Sequence, residues 1–251
     1  MFLKKNISYF FILPIYYLIR KSFFFGLIHK FLIKKFYYKN LKFNLNIEGL
    51  SISCFTSFFF KTYEYNDRVL VEKYINHKNK CIIIGGGIGF IPSLSYQKSM
   101  NRILVFEINE KIIKNLNKNL TQNNCDFTLY NKNLTLLNEN KVSSYFVGEI
   151  FSSTSKYVKT KKIKQIENIN KKDVINFDQY NTLLIDGEGI EEYFINNLDK
   201  LHHIKYLIFE LHYNIFEEKK INLIFQKLKE FNFIQVDKCF NSFYFVKNLN
   251  C

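Results

Sequence analysis

The chain has no alanine and no tryptophan, two prolines, nine glycines and only three arginines, Arg20, Arg68 and Arg102. So little Gly and Pro excludes collagen-like and elastic repeats. Cys54, Cys81, Cys125, Cys239 and Cys251 are odd in number, widely spread and form no CxxC pair. His29, His77, His202, His203 and His212 form no HxxxH pair. A disulfide framework or a zinc site of familiar spacing is therefore not expected, and no metal ligand is assigned. The simplest reading is reduced thiols in the cytoplasm. No apolar run reaches the ~20 residues of a spanning helix. No small-residue cleavage site follows the first apolar stretch, so a secretory signal is not expected.

What is present is 251 residues, 47% apolar and 23% charged, enough to bury a sizeable core without staples. Phe (28) and Tyr (17) are abundant, and lysine supplies all but three of the 36 basic residues. Lys, Asn, Ile, Phe and Tyr all have AT-rich codons, so an AT-rich genome accounts for much of this mixture and weakens inference from the net charge of +14.

The distribution of charge says more. Lys4, Lys5, Arg20, Lys21, Lys30, Lys34, Lys35, Lys39 and Lys42 all precede the first acid, Glu48. A nucleic-acid enzyme would carry its basic footprint around the active site. Here it lies on the first 45 residues, and no nucleic acid is expected. This arm interleaves lysine with Phe, Tyr and Ile. Three readings stand: contact with an anionic membrane at its inner face, a helical cap packed on the body, or a poor spanning helix.

Residues 46–251 alternate strand and helix signals. Asn66 reads as the N-cap of a helix from Asp67 to about Ile75. Short apolar runs at Cys81–Ile84, Ile103–Phe106, Phe127–Tyr130, Thr182–Ile185 and Tyr206–Phe209 read as buried parallel strands. Helices are expected over Phe90–Lys98, Glu110–Leu120 and Phe216–Phe231, and a polar meander over Ser143–Lys172. Phe233–Val236 and Ser242–Val246 read as a closing antiparallel pair. The fold expected is α/β: a Rossmann-like, doubly wound, mostly parallel sheet with that pair, plus an N-terminal basic and aromatic helical arm.

In such a sheet ligands bind at the carboxyl ends of the strands. Gly85-Gly86-Gly87-Ile88-Gly89, Glu107, Asp186, Glu188, Glu210 and His212 all fall there. Glycines at 85, 87 and 89 let the backbone approach a ligand. A dinucleotide fingerprint needs glycine at 90, which is Phe90, whereas GxGxG fits an S-adenosylmethionine (SAM) turn. Glu107, 20 residues beyond Gly87 (107 − 87), is placed to accept from a ribose diol.

Cys81 to Asn119 resembles class I SAM-dependent methyltransferases. Phe106-Glu107-Ile108-Asn109, Leu184-Ile185-Asp186-Gly187-Glu188-Gly189-Ile190-Glu191 and Glu210-Leu211-His212 resemble the FkbM-type family in particular. The likeness spans about residues 65–247. It implies Gly85, Gly86, Gly87, Gly89, Glu107 and Asn109 for the cofactor. Ile83 stands where that family usually carries an acid that helps hold the cofactor's amino end. The triple glycine is also similar to the turn of spermidine-synthase-type aminopropyltransferases, but their Asp-Ser or Asp-Asp after the fourth strand is absent. Methyl transfer needs a near-attack geometry and, for a hydroxyl acceptor, a base. Asp186 is the first candidate, Glu188 its orienting partner, and His212 the alternative, with an ordinary pKa suited to the task. The expected acceptor is a hydroxyl on a sugar, glycan or other small molecule. Alternatives are a nucleic-acid or protein methyltransferase, though no Asn/Asp-Pro-Pro-Tyr turn is present, and a non-catalytic SAM-fold protein tethered to a membrane.

Overall fold

The computed structural model describes residues 23–32, 34–47, 50–138, 141–147, 154–155 and 163–248. About half of the basic arm, residues 1–22 and 33, lies outside them.

Seven strands form the central sheet: β3 (Cys81–Ile84), β4 (Ile103–Phe106), β5 (Phe127–Tyr130), β10 (Thr182–Ile185), β11 (Tyr206–Glu210), β12 (Phe233–Cys239) and β13 (Ser242–Lys247). Their order is β12-β13-β11-β10-β3-β4-β5. The first five strands in sequence run parallel, and β13 enters antiparallel beside β11 with β12 outside it. This is a doubly wound Rossmann-like sheet closed by an antiparallel pair, with the switch point between β3 and β10.

The inner strands β3, β4, β10 and β11 are almost wholly apolar because both faces are covered, whereas β5, expected as a buried strand, lies at the sheet edge and is only half-buried. Alternate residues divide between two cores, as the two-residue period of a strand requires. Cys81, Ile83, Ile103, Val105, Leu184 and Ile208 join one core. Ile82, Ile84, Leu104, Phe106, Leu183, Ile185, Leu207 and Phe209 join the other. Helices α3 (Tyr65–Tyr74), α4 (Phe90–Ser99) and α5 (Glu110–Gln122) supply side chains to the first. Helices α6 (Glu191–Asn196) and α7 (Glu218–Glu230) supply the second.

The cap of α3 differs from the sequence expectation. The N-cap is Glu64, in the left-handed region at φ 45°, and Asn66 sits in the first turn. Asn66 is drawn to a distant partner instead, donating through Nδ2 to Asn241 Oδ1 at 2.6 Å.

Before the sheet come α1 (Phe23–Leu32), a hairpin of β1 (Lys35–Tyr38) and β2 (Leu41–Asn44), and α2 (Ile52–Phe59). The hairpin packs deeply: Phe36, Leu41, Phe43 and Leu45 all belong to the first core. Asn119 pins it to α5, with Asn44 N–H donating to Asn119 Oδ1 at 2.8 Å. The meander is a small second sheet in which β9 (Ile163–Asn170) runs parallel to β6 (Asn133–Thr135) and antiparallel to β7 (Val142–Val147), which also pairs β8 (Thr154–Ser155). Among the described residues, no helix is long and apolar enough to cross a membrane.

Candidate functional site

A cleft of about 590 Å³ opens at the carboxyl ends of β3, β4, β10 and β11. Its size suits a small-molecule site. Gly85, Gly87, Glu107, Asp186, Glu188 and His212 all line it. The inserted sheet contributes Ser143, Ser144 and Ile166 to its wall.

The glycine turn forms because a side chain would not fit. Gly85 takes φ 89°, and a Cβ there would overlap the carbonyl oxygen of Asp186. Gly87 takes φ 53°, and a Cβ there would stand 3.2 Å from Glu64 Oε1 and 3.4 Å from the Tyr63 hydroxyl. Gly86 and Gly89 shape the turn without lining the cleft; Gly89 is the left-handed N-cap of α4.

Glu107 is 6% exposed and already holds the turn. Gly87 N–H donates to its Oε2 at 3.0 Å, and Asn109 N–H donates to its Oε1 at 2.7 Å. Burial pushes its carboxyl pKa up, and these backbone donors pull it back. Asn109 is the N-cap of α5, its Oδ1 accepting from Lys111 N–H at 3.1 Å, and it does not reach the cleft.

Opposite the glycine turn lies a dense group of acids around one imidazole. His212 Nε2 stands 3.6 Å from Asp186 Oδ1, 3.7 Å from Glu188 Oε2 and 3.9 Å from Glu210 Oε2. Its Nδ1–H donates to Glu191 Oε1 at 2.9 Å, and the Glu191 side chain is fully buried. Burial alone would lower the His212 pKa. The Glu191 hydrogen bond and the charges of Asp186, Glu191 and Glu188 overcome it and raise it to about 10. The ordinary histidine pKa assumed from sequence does not hold here. Burial raises Asp186, Glu188 and Glu210, and the neighbouring imidazole offsets part of that. Glu188 is delivered by a strained turn: it takes φ 52° and Gly189 φ 104°.

Four residues that the sequence reading did not assign complete the site. Glu64 and Asp67, from the start of α3, line the cleft. Burial raises the Glu64 pKa to about 7, with a hydrogen bond from Tyr63 opposing it. Glu64 Oε2 is buried without a hydrogen-bond partner. Ile83 lines the small recess behind the cleft together with Glu64 and Asp67, so α3 brings carboxylates to the place where the strand has none. Glu191 orients His212, and Asn241 donates to Glu210 Oε1 at 2.6 Å. His203 has a side chain only 8% exposed, packed edge-on against Phe177.

No protein-family model and no curated protein matches the chain. Among solved structures, the chain is similar to the ribosomal protein L11 methylase of Lactobacillus delbrueckii subsp. bulgaricus at 15% identity, covering 72% of this chain and 77% of that one, with a TM-score of 0.45. A methyltransferase of Pyrococcus furiosus matches at 14% identity over 90% and 95% of the two chains, with a TM-score of 0.44. M. jannaschii TYW2, solved in complex with AdoMet, matches at 13% identity over 84% and 82%, with a TM-score of 0.44. These are distant likenesses.

Proposed function

We propose that this protein is a SAM-dependent methyltransferase acting on a hydroxyl of a sugar, glycan or other small molecule. The observation that carries the reading is the convergence, at the switch point of one sheet, of a glycine turn clamped by Glu107 and a carboxylate-rich wall around Asp186. The residues fit the cofactor. Gly87 leaves open the space a side chain would fill, and the orphaned Glu64 Oε2 offers an acceptor in the place left by Ile83. Bound there, SAM would supply an electrophilic methyl group.

This chain's residues do the rest. Gly85 lets the turn pass against the Asp186 carbonyl, Gly87 admits the ligand backbone-close, and Glu107 accepts from hydroxyls. Glu64 takes an ammonium. Asp186 faces the acceptor from the end of β10 and receives its proton, and Glu188 orients it. The test is calorimetric titration with SAM. Gly87→Val should abolish binding, and Glu107→Ala should weaken it by about 1–3 kcal/mol. If both variants titrate like the parent, the cofactor assignment is wrong.

The N-terminal arm is proposed to touch an anionic membrane surface. Its charge supports this, as do Phe31 and Leu32, 69% and 78% exposed at the end of α1 beside Lys30.

A further inference from the structure

The geometry points to a divalent-cation site inside the cleft, formed by Asp186, Glu210 and His212. One donor atom from each lies within 4.8 Å of the others. Asp186 and Glu210 each follow the register pair Ile185–Phe209 by one residue, which places them side by side at the ends of adjacent strands. His212 follows Glu210 by two residues and returns to the same side. Donors bound to one ion at about 2.1 Å lie about 3–4 Å apart. The 3.6 and 3.9 Å separations from His212 Nε2 are close to that already.

The surroundings are those of a ligand set already aimed. Glu191 accepts from His212 Nδ1–H, which turns Nε2 toward the carboxylates. A metal-bound histidine is held in this way by a carboxylate on its other nitrogen. Asn241 occupies Glu210 Oε1, leaving Oε2 toward the cluster. An independent observation is Asp67. It is 5% exposed, lines the same cleft, and its Oδ1 has no hydrogen-bond partner. The cleft's own lysine, Lys132, is paired with Glu167 at 2.9 Å. Among the described residues, no Lys or Arg forms an ion pair with Asp186, Glu188 or Glu210. One imidazole nitrogen with carboxylate oxygens suits Mn²⁺, Fe²⁺ or Zn²⁺. Three protein ligands leave positions open, so the cation would take the acceptor's hydroxyl oxygen as a further ligand beside Glu188. That role rests on the methyltransferase reading; the binding of the ion does not.

The experiment uses chelator-stripped full-length protein and Mn²⁺, with free Mn²⁺ read by electron paramagnetic resonance. One ion per chain is expected. Glu210→Gln and His212→Gln should each weaken it by about 10-fold or more, with circular dichroism confirming the fold. In the parent chain, Mn²⁺ should broaden the His212 ring resonances, a readout that needs no variant. No uptake at millimolar Mn²⁺, unchanged uptake in both variants, or unbroadened His212 signals would each overturn the site. SAM titrated into the same samples separates the two ideas. Mn²⁺ bound through these residues without SAM binding leaves the cation site standing and sinks methyl transfer; SAM binding without Mn²⁺ uptake does the reverse.

Discussion

Glu188 sits at φ 52° between two glycines, a conformation a glutamate adopts only when its surroundings impose it. The turn that strains it sets its carboxylate 3.7 Å from His212 Nε2. The spacing of Asp186, Glu188 and His212 was legible in the sequence because strand ends and glycine turns are local signals. Their partners were not. Glu210 and Asn241 are 31 residues apart, and Asn66 and Asn241 are 175 apart. No local pattern announces that Glu64 shares a recess with Ile83, because the approach crosses from a helix start to a strand. Two expectations follow at this scale. Asp186→Asn keeps the shape and removes a charge, so SAM binding should persist while turnover falls by roughly 10²–10⁴-fold; full turnover with a panel of hydroxyl acceptors would refute the role. Glu64→Gln should weaken SAM binding by about 1–3 kcal/mol through loss of a charge-assisted partner. An unchanged calorimetric titration would mean that Ile83 has no substitute there.

The parallel strands were readable almost to the residue, because a strand buried on both faces is a short unbroken apolar run between turn signals. The inserted sheet was readable only as a meander, since the parallel pairing of β9 with β6 joins segments that carry no shared period. The loop after α6 shows the same limit. His202-His203 reads as polar, yet the second histidine turns inward against Phe177. Burial lowers the His203 pKa to about 4, with Asp178 opposing it. A histidine unfolds to an ordinary value near 6.5. The unfolded state then binds more protons than the folded one between these values, so stability is lost as pH falls from about 6.5 toward about 4. His203→Phe should remove that component. The melting temperature of the parent should fall more steeply than that of the variant between pH 7 and pH 5. Parallel curves would show that His203 does not titrate with unfolding.

At the scale of the whole molecule, charge alone drew attention to the first 45 residues, and charge does not report packing. Half-apolar strands such as Lys35–Tyr38 and Leu41–Asn44 look like arm from composition, yet they give Phe36, Leu41, Phe43 and Leu45 to the main core. Each large buried apolar side chain contributes about 1.5–3 kcal/mol. Losing four removes about as much as the ~5–15 kcal/mol that separates a folded domain from its unfolded state. A chain starting at Asn46 should therefore fail to fold. One starting at Lys34 keeps the hairpin and should fold and bind SAM. That second chain isolates the membrane question, because it lacks α1 and Lys4, Lys5, Arg20, Lys21 and Lys30. Each basic residue near an anionic surface contributes about 1 kcal/mol, weakened by salt. The full chain should sediment with phosphatidylserine vesicles at low salt and release at high salt, while the chain from Lys34 stays in the supernatant. Equal sedimentation of the two would place any membrane contact outside the first 33 residues. Absence of sedimentation in both would leave the first 33 residues to pack on the body, where Gly26 already lets α1 approach Ile52 of α2 closely.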